Sequence, residues 1–224
     1  MNGGREMDGF INANGKPVLL KMVSAIRENK AYLGEVDGLI GDGDHGTNMN
    51  KGFTMFGDRI SGREISFTDG LEELGTLLFS EIGGSMGPIY GTLFNGMAQA
   101  GEGLKVIGTA QLADMLEAGL TELYDIVDAR VGDKTLVDTL FPAKDVMKQC
   151  TAAGKSLAEA LPRMKEAAAA GRDSTKNMVA KYGRSSRLGE RSRGVLDAGA
   201  ASCCIILTAM ADGILEQIGK DREA

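Results

Sequence analysis

The sequence predicts an all-α domain of about eight helices, with its chemistry in loops gathered at one end. Three observations predict it. Apolar residues recur at steps of three, four and seven along most of the 224 residues, the spacing of one face of a helix. The two-residue alternation of a strand is scarce. The 32 glycines, about twice the usual share, cluster at 38–46, 83–91, 101–108, 132 and 183–199 rather than scattering. Glycines clustered between helices mark backbone that approaches a ligand closely or adopts positive φ.

Residues 1–16 form an N-terminal extension and 17–224 a single domain. Pro17 suits a first helical turn, where its missing N–H costs nothing. Over 17–33, Leu19, Met22, Val23, Ile26 and Leu33 recur with helical spacing, with Lys21, Arg27 and Lys30 largely on the other side. Asp44 stands ahead of a helix at 46–56. Asp69 followed by Glu72 marks a capped start, after which Leu71, Leu74, Leu78 and Ile82 share a face. Residues 110–127 repeat the pattern through Leu112, Met115, Leu116, Leu120, Leu123 and Val127. Further helices are expected at 91–100, 137–149, 155–170, 173–182 and 200–218. The last carries Ala200, Cys203, Cys204, Ile206, Leu207 and Met210, is apolar on most sides, and belongs at the centre. Met22, Met115, Met147, Met164 and Met210 are core residues on this reading.

Composition narrows the function. Hydrophobic residues make up 43% and charged residues 25%, ordinary for a globular protein. A net charge of −6 argues against nucleic acid, whose phosphates need clustered Lys and Arg. It favours a small substrate or a protein partner. Cys150, Cys203 and Cys204 show no metal spacing and are expected to be reduced and buried. The start, MNGGREMDGFINANG, lacks the apolar run of a signal peptide. No stretch approaches the ~20 apolar residues of a membrane span, so a soluble, cytoplasmic protein without membrane contact is expected.

The stretch LIGDGDHGTNMNKG, residues 39–52, concentrates the chemistry. Gly41, Gly43 and Gly46 satisfy G-x-G-x-x-G, yet Asp42 and Asp44 between them would repel a bare pyrophosphate, and no βαβ pattern surrounds them. A P-loop would need G-K-[ST], and no lysine precedes Thr47. An EF-hand starting at Asp42 would place Gly46 at its fifth position and Phe53 where a bidentate Glu belongs. What survives is a carboxylate cluster of Asp37, Asp42 and Asp44. Three acids so close repel one another unless a cation stands with them. Oxygen ligands without Cys or a second His favour Mg2+, which shares itself with phosphate oxygens. The bland alternative, an N-capping Asp in a glycine turn, accounts for Asp44 but poorly for three acids.

These residues resemble a known family. Asp37-Gly38-Leu39-Ile40-Gly41-Asp42-Gly43-Asp44-His45-Gly46-Thr47-Asn48-Met49 is similar to the metal motif of dihydroxyacetone kinases, in the nucleotide-binding domain called DhaL when it is a separate subunit. Gly83-Gly84-Ser85-Met86-Gly87-Pro88-Ile89-Tyr90-Gly91-Thr92 resembles the family's phosphate-contacting G-G-x-x-G-P loop, with no role drawn for Tyr90, and Gly132-Asp133-Lys134-Thr135-Leu136-Val137-Asp138 its G-D-K-T-M-x-D loop. Gly183-Arg184-Ser185-Ser186-Arg187-Leu188-Gly189-Glu190-Arg191-Ser192 with Asp197-Ala198-Gly199-Ala200 resembles its last motif, G-R-A-S-Y-L-G-E-R-S…D-P-G-A. The resemblance implies an antiparallel barrel of eight helices holding ADP or ATP and two Mg2+ at its mouth. It implies Asp37, Asp42 and Asp44 as metal ligands and the centre of catalysis. His45, Thr47, Asn48, Gly84, Ser85 and Met86 would lie by the phosphates, with Leu136 lining the adenine pocket. Arg184, Asp197 and Gly199 would close over the nucleotide. Ala198 stands where relatives usually carry Pro, Val195 and Leu196 replace polar residues, and Arg193 is an extra charge.

Within that frame His45, the only histidine, is expected to donate to phosphate rather than to carry it. Arg184 is the arginine expected to meet phosphate; for Arg187, Arg191 and Arg193 a solvated face is an equal alternative. Lys134 is expected to be a turn lysine and Asp133 the cap of the following helix. The implied activity is a kinase-type phosphotransferase with an alcohol acceptor, active only with a DhaK-type subunit that binds the hydroxy-ketone. A phosphotransferase-system protein that rephosphorylates ADP is a further candidate partner, as is a second copy of the chain. The alternatives are a nucleotide-sensing module that binds a transcription regulator, and a fatty-acid-kinase-like module.

Overall fold

The computed structural model describes residues 9–223. Its elements are β1 (Phe10–Ile11), α1 (Lys16–Glu28), α2 (Lys30–Ile40), α3 (His45–Ile60), α4 (Phe67–Glu81), α5 (Met86–Ala100), β2 (Val106–Ile107), α6 (Thr109–Ile126), α7 (Val137–Ala152), α8 (Leu157–Ser174) and α9 (Ala198–Glu223), with short 3-10 turns between. Packing closes a ring: α1 lies on α3, then each helix from α3 to α8 lies on the next, and α9 returns to α1. That is the expected eight-helix barrel. The remaining helix, α2, packs against α3 and α9. Short connections turn successive helices antiparallel, so the loops 41–44, 82–85 and 127–136 and the segment 175–197 meet at one end.

Where apolar spacing is regular, expectation and structure agree. The 110–127 pattern becomes α6, with Leu112, Met115, Leu116, Leu120 and Leu123 buried. The 200–218 pattern becomes α9, which packs on α1, α2, α7 and α8. Its Cys203 and Cys204 are buried and free, as is Cys150, and burial pushes the Cys203 thiol far up, which keeps it inert. The expectation of no membrane-length apolar stretch needs correcting. Ala198–Asp221 is long and apolar enough by length and composition alone, but 72% of the window is buried within the fold, where a core helix needs that composition.

Other boundaries move for identifiable reasons. The 17–33 helix is two helices, because Asn29 leaves the helical region at φ −96°, ψ 9° and its amide turns back on the Ala25 carbonyl. Leu33 therefore belongs to α2. The start at Asp69 lies three residues earlier at Ser66, whose hydroxyl accepts from Asp69 N. The helix expected at 91–100 begins at Met86, since Gly87 is part of it: a Cβ there would stand 2.1 Å from Ile82 O on the neighbouring turn. The helix expected at 173–182 is absent. α8 stops at Ser174, and the backbone N–H groups of Ala180 and Lys181 turn to Ser192 Oγ and Asp133 O instead.

The extension drawn at 1–16 also divides what packs together. Phe10 is fully buried edge-on to Phe67, and β1 pairs antiparallel with β2. Asn12 bonds Thr68 and the Leu104 carbonyl. Residues 9–16 therefore belong to the barrel's far end; residues 1–8 lie outside those described. The glycine group 101–108 is at that far end too, away from the other glycine loops.

One glycine sets the geometry of the active end. At Gly46, in the first turn of α3, a Cβ would lie 2.1 Å from Lys30 O and 2.7 Å from Gly34 N. Both are backbone atoms of α2, so α2 crosses α3 in direct backbone contact and brings Asp37 over the α3 N-terminus. Gly46→Ala is expected to cost about 1–3 kcal/mol through overpacking, seen as a lowered Tm with the helical circular-dichroism spectrum retained.

Candidate active site

The convergent loops enclose a cleft of about 760 Å3. Asp37 projects from the last turn of α2, where its carbonyl accepts Gly41 N at 2.6 Å and its carboxylate accepts His45 N at 3.3 Å. Gly43 adopts the left-handed region at φ 78°, which most residues avoid, and so turns the chain between Asp42 and Asp44. As a result Asp37, Asp42 and Asp44 each offer an oxygen within 4.8 Å of the others. Arg184 places Nη1 2.5 Å from Asp42 Oδ2 and supplies part of the opposing charge.

The helices that start here differ from those that start at the far end. At the far end α4 is capped by Ser66, α8 by Ser156 in a capping box with Glu159, and the Gln111 side chain accepts Gly108 N ahead of α6. At the cleft, Asp44, Ser85 and Leu136 give α3, α5 and α7 no side-chain cap. The first N–H of α3, on His45, is nevertheless taken by the Asp37 carboxylate, that of α7, on Val137, by Thr135 Oγ1, and at α9 Asp197 Oδ2 takes Ala200 N at 2.7 Å. The start of α5 has no such side-chain acceptor, so its first N–H groups and the positive end of its dipole face the cleft. The cleft thus sets a carboxylate cluster beside the backbone donors that open α5. An anion accompanied by hard cations suits both.

Of the residues singled out in the sequence, Asp37, Asp42, Asp44, His45, Asn48, Gly84, Ser85, Met86, Leu136, Arg184, Asp197 and Gly199 line this cleft. Thr47 does not; it is exposed on α3, outside the lining. His45 is 7% exposed, with Nε2 2.8 Å from Ser202 Oγ, which lies 2.6 Å from the Tyr90 hydroxyl. Burial, opposed by the Asp44 carboxylate, pulls His45 down to about 4, so the ring is neutral and one nitrogen is committed to Ser202. Ser202 and Tyr90 escaped the sequence reading, although Tyr90 follows the G-G-x-x-G-P loop and Ser202 sits one turn past Gly199.

Lys134 and Asp133 also differ from expectation. Lys134 is 1% exposed, and its Nζ donates to Thr175 O at 2.6 Å and to Val195 O. Asp133 caps no helix: it accepts from Arg130 N at 2.8 Å and pairs with Lys181 at 2.6 Å. The acid in the first turn of α7 is Asp138, which accepts from Gly132 N and Thr135 N. Arg187 and Arg191 are exposed, and Arg193 pairs with Glu190. Ala198 opens α9, a first-turn position compatible with the proline of the resembled motif.

Barrel and cleft together define the class, a helical domain of the dihydroxyacetone kinase type. The DAK2 domain profile matches residues 39–212, and the chain belongs to that family. Asp42 and Asp44 lie inside the matched span, and Asp37 two residues before it. The ADP-binding subunit DhaL of the PEP-dependent dihydroxyacetone kinase of Escherichia coli K12 is 35% identical over 183 residues, covering 80% of this chain and 86% of its own. The ADP-binding subunit DhaL of PEP-dependent dihydroxyacetone kinase 1 of Listeria innocua is 34% identical over 186 residues, covering 83% and 88%. The native crystal structure of the dihydroxyacetone kinase of C. freundii aligns with TM-score 0.70 at 20% identity, covering 95% of this chain and 37% of that one. Its complex with AMP-PNP and Mg2+ aligns at 0.65 and 21%, covering 95% and 36%. These two structures show the same fold.

Asp197 makes the site's pH response testable. Burial raises its carboxyl to about 6, against the lowering effects of Ala200 N and the Lys134 ammonium. Between its ordinary value and about 6 the folded chain holds a proton the unfolded chain has released, so this group's contribution to stability falls as pH rises through that window. Asp197→Asn keeps an oxygen for Ala200 N but cannot titrate. In magnesium-free buffer, denaturant titrations from pH 4 to 6.5 are expected to show the variant gaining stability relative to wild type as pH rises.

Proposed function

We propose that this chain is the nucleotide-binding phosphotransfer subunit of a ketose or triose kinase of the dihydroxyacetone kinase type. It would hold ADP or ATP with two Mg2+ and deliver the phosphoryl group to a hydroxy-ketone bound on a separate DhaK-type subunit. The observation that carries this reading is the convergence of Asp37, Asp42 and Asp44 within 4.8 Å, in one cleft with the start of α5, which no side chain caps. Membership of the DAK2 family and the ADP-binding names of the E. coli and L. innocua relatives support it. The AMP-PNP and Mg2+ of the C. freundii complex are consistent with the chemistry of the cleft.

The donor set fits magnesium: hard carboxylate oxygens, with no thiolate or free imidazole among them. Mg2+ at these acids would neutralise the polyphosphate charge and that of the leaving oxygen. The chain's own residues then position and screen. The uncapped amides that open α5 would hold anionic oxygens, with fixed dipoles that need no reorganisation as charge moves. Gly84 takes φ 74°, with nothing within 4 Å of a would-be Cβ, which keeps the loop before α5 open for a phosphate. Leu136 offers an apolar wall for a base. Arg184, now on Asp42, stands close enough to follow a phosphate oxygen.

The acceptor must come from elsewhere. The sole histidine is buried and bonded to Ser202, so covalent capture of a hydroxy-ketone by an imidazole would need another chain. That partner would cover the mouth and exclude water. The names of both DhaL relatives, ADP-binding and PEP-dependent, favour ADP as a retained coenzyme; a phosphotransferase-system protein would recharge it, and the cytoplasm is the proposed location. Asp42→Ala is expected to weaken magnesium-dependent ADP binding by about 100-fold or more, some 3 kcal/mol, while α-helical ellipticity is retained. Unchanged affinity in isothermal titration would overturn the assignment of the acids.

A further inference from the structure

The segment joining α8 to α9 carries six cationic side chains (Lys176, Lys181, Arg184, Arg187, Arg191, Arg193) against two carboxylates, Glu190 and Asp197. A run with that balance repels itself and extends unless something gathers it. In the structure it is gathered at a neck. Gly194 N donates to Lys176 O at 2.7 Å and Asp197 N to Thr175 Oγ1 at 3.1 Å. Across the neck lies Lys134, whose single ammonium donates to Thr175 O on one side and to Val195 O on the other.

Lys134 reaches this position at a conformational cost. It is the one non-glycine residue with positive φ among those described, at 63°, and its side chain is buried. A long cationic residue held in the left-handed region persists only where its surroundings over-determine it. The two carbonyls, with the Asp197 and Asp138 carboxylates in its field, are those surroundings. Lys134 lines the cleft together with its neighbours Thr135 and Leu136, as does Arg184 on the segment that it closes, while the Lys134 ammonium itself is spent on the two carbonyls.

The geometry points to Lys134 as a positioning residue: it staples the two ends of residues 175–195 together and thereby holds Arg184 over the Asp42 carboxylate and the nucleotide cleft. The part concerning nucleotide rests on the function proposed above; the part concerning the segment does not. Two measurements separate them. In hydrogen exchange without nucleotide, Lys134→Met is expected to speed the amides of Ala180, Lys181 and Gly194 at least about tenfold, with α5 and α6 unchanged. In ADP release with Mg2+, the same variant is expected to dissociate about tenfold faster, and to add less than about twofold in an Arg184→Ala background, since both act through one contact.

Lys134→Gln, which keeps a neutral donor, is expected to fall between wild type and Lys134→Met, and serves if the methionine variant does not fold. Uniform acceleration over the barrel, unchanged exchange in the segment, or unfolding of both variants would overturn the proposal. So would additive effects of Lys134→Met and Arg184→Ala on release. If wild type binds no Mg–ADP, the functional reading fails, and the exchange arm alone decides the structural one.

Discussion

Three carboxylates that meet within 4.8 Å of one another repel, positive charge beside them relieves that repulsion, and the cleft end of this barrel is arranged around that constraint. Part of the charge is internal. Arg184 sits on Asp42, and α5 turns an uncapped N-terminus toward the cleft. One exposed guanidinium and the partial charges of a helix end screen three acids incompletely, which on the proposed function is where divalent cations and a polyphosphate would contribute. The fold serves this by bringing α2 onto α3 at Gly46, so that one acid from α2 meets two from the glycine turn that leads into α3.

The two ends of the barrel differ in what meets their helix starts. At the far end Ser66 and Ser156 cap α4 and α8 from the N-cap position, while α1 starts there on Gly15 without a side-chain cap. At the cleft α3, α7 and α9 start on Asp37, Thr135 and Asp197, and α5 starts with no side-chain acceptor. Among the described residues Asp197 is also the carboxyl that burial raises most.

Legibility in the sequence followed the range of the interaction. Helix α6 was readable because its apolar face is a local pattern, and the three acids because they lie within eight residues of each other. The break at Asn29 was hidden since apolar spacing carries across it from Ile26 to Leu33. Gly87 looked like a loop residue, and Gly46 stood at the start of the expected 46–56 helix with no visible reason for a glycine; both lie inside helices, where the missing side chain admits a neighbouring backbone, and only the partner helix reveals that. His45 with Ser202, at a separation of 157 residues, and Lys134 with Thr175, at 41, are tertiary pairings. No spacing rule connects them. The family resemblance supplied the barrel and the order of the motifs, but it left Lys134 as a turn residue because a motif does not show what its side chain reaches.

The account stands on cations joining the acidic cluster to a nucleotide's phosphates. Its most direct test is calorimetric titration of the purified chain with ADP, in excess magnesium and again after chelation. The account predicts binding that is strong with the cation and lost or at least about 100-fold weaker without it. Equal affinity under both conditions would contradict it.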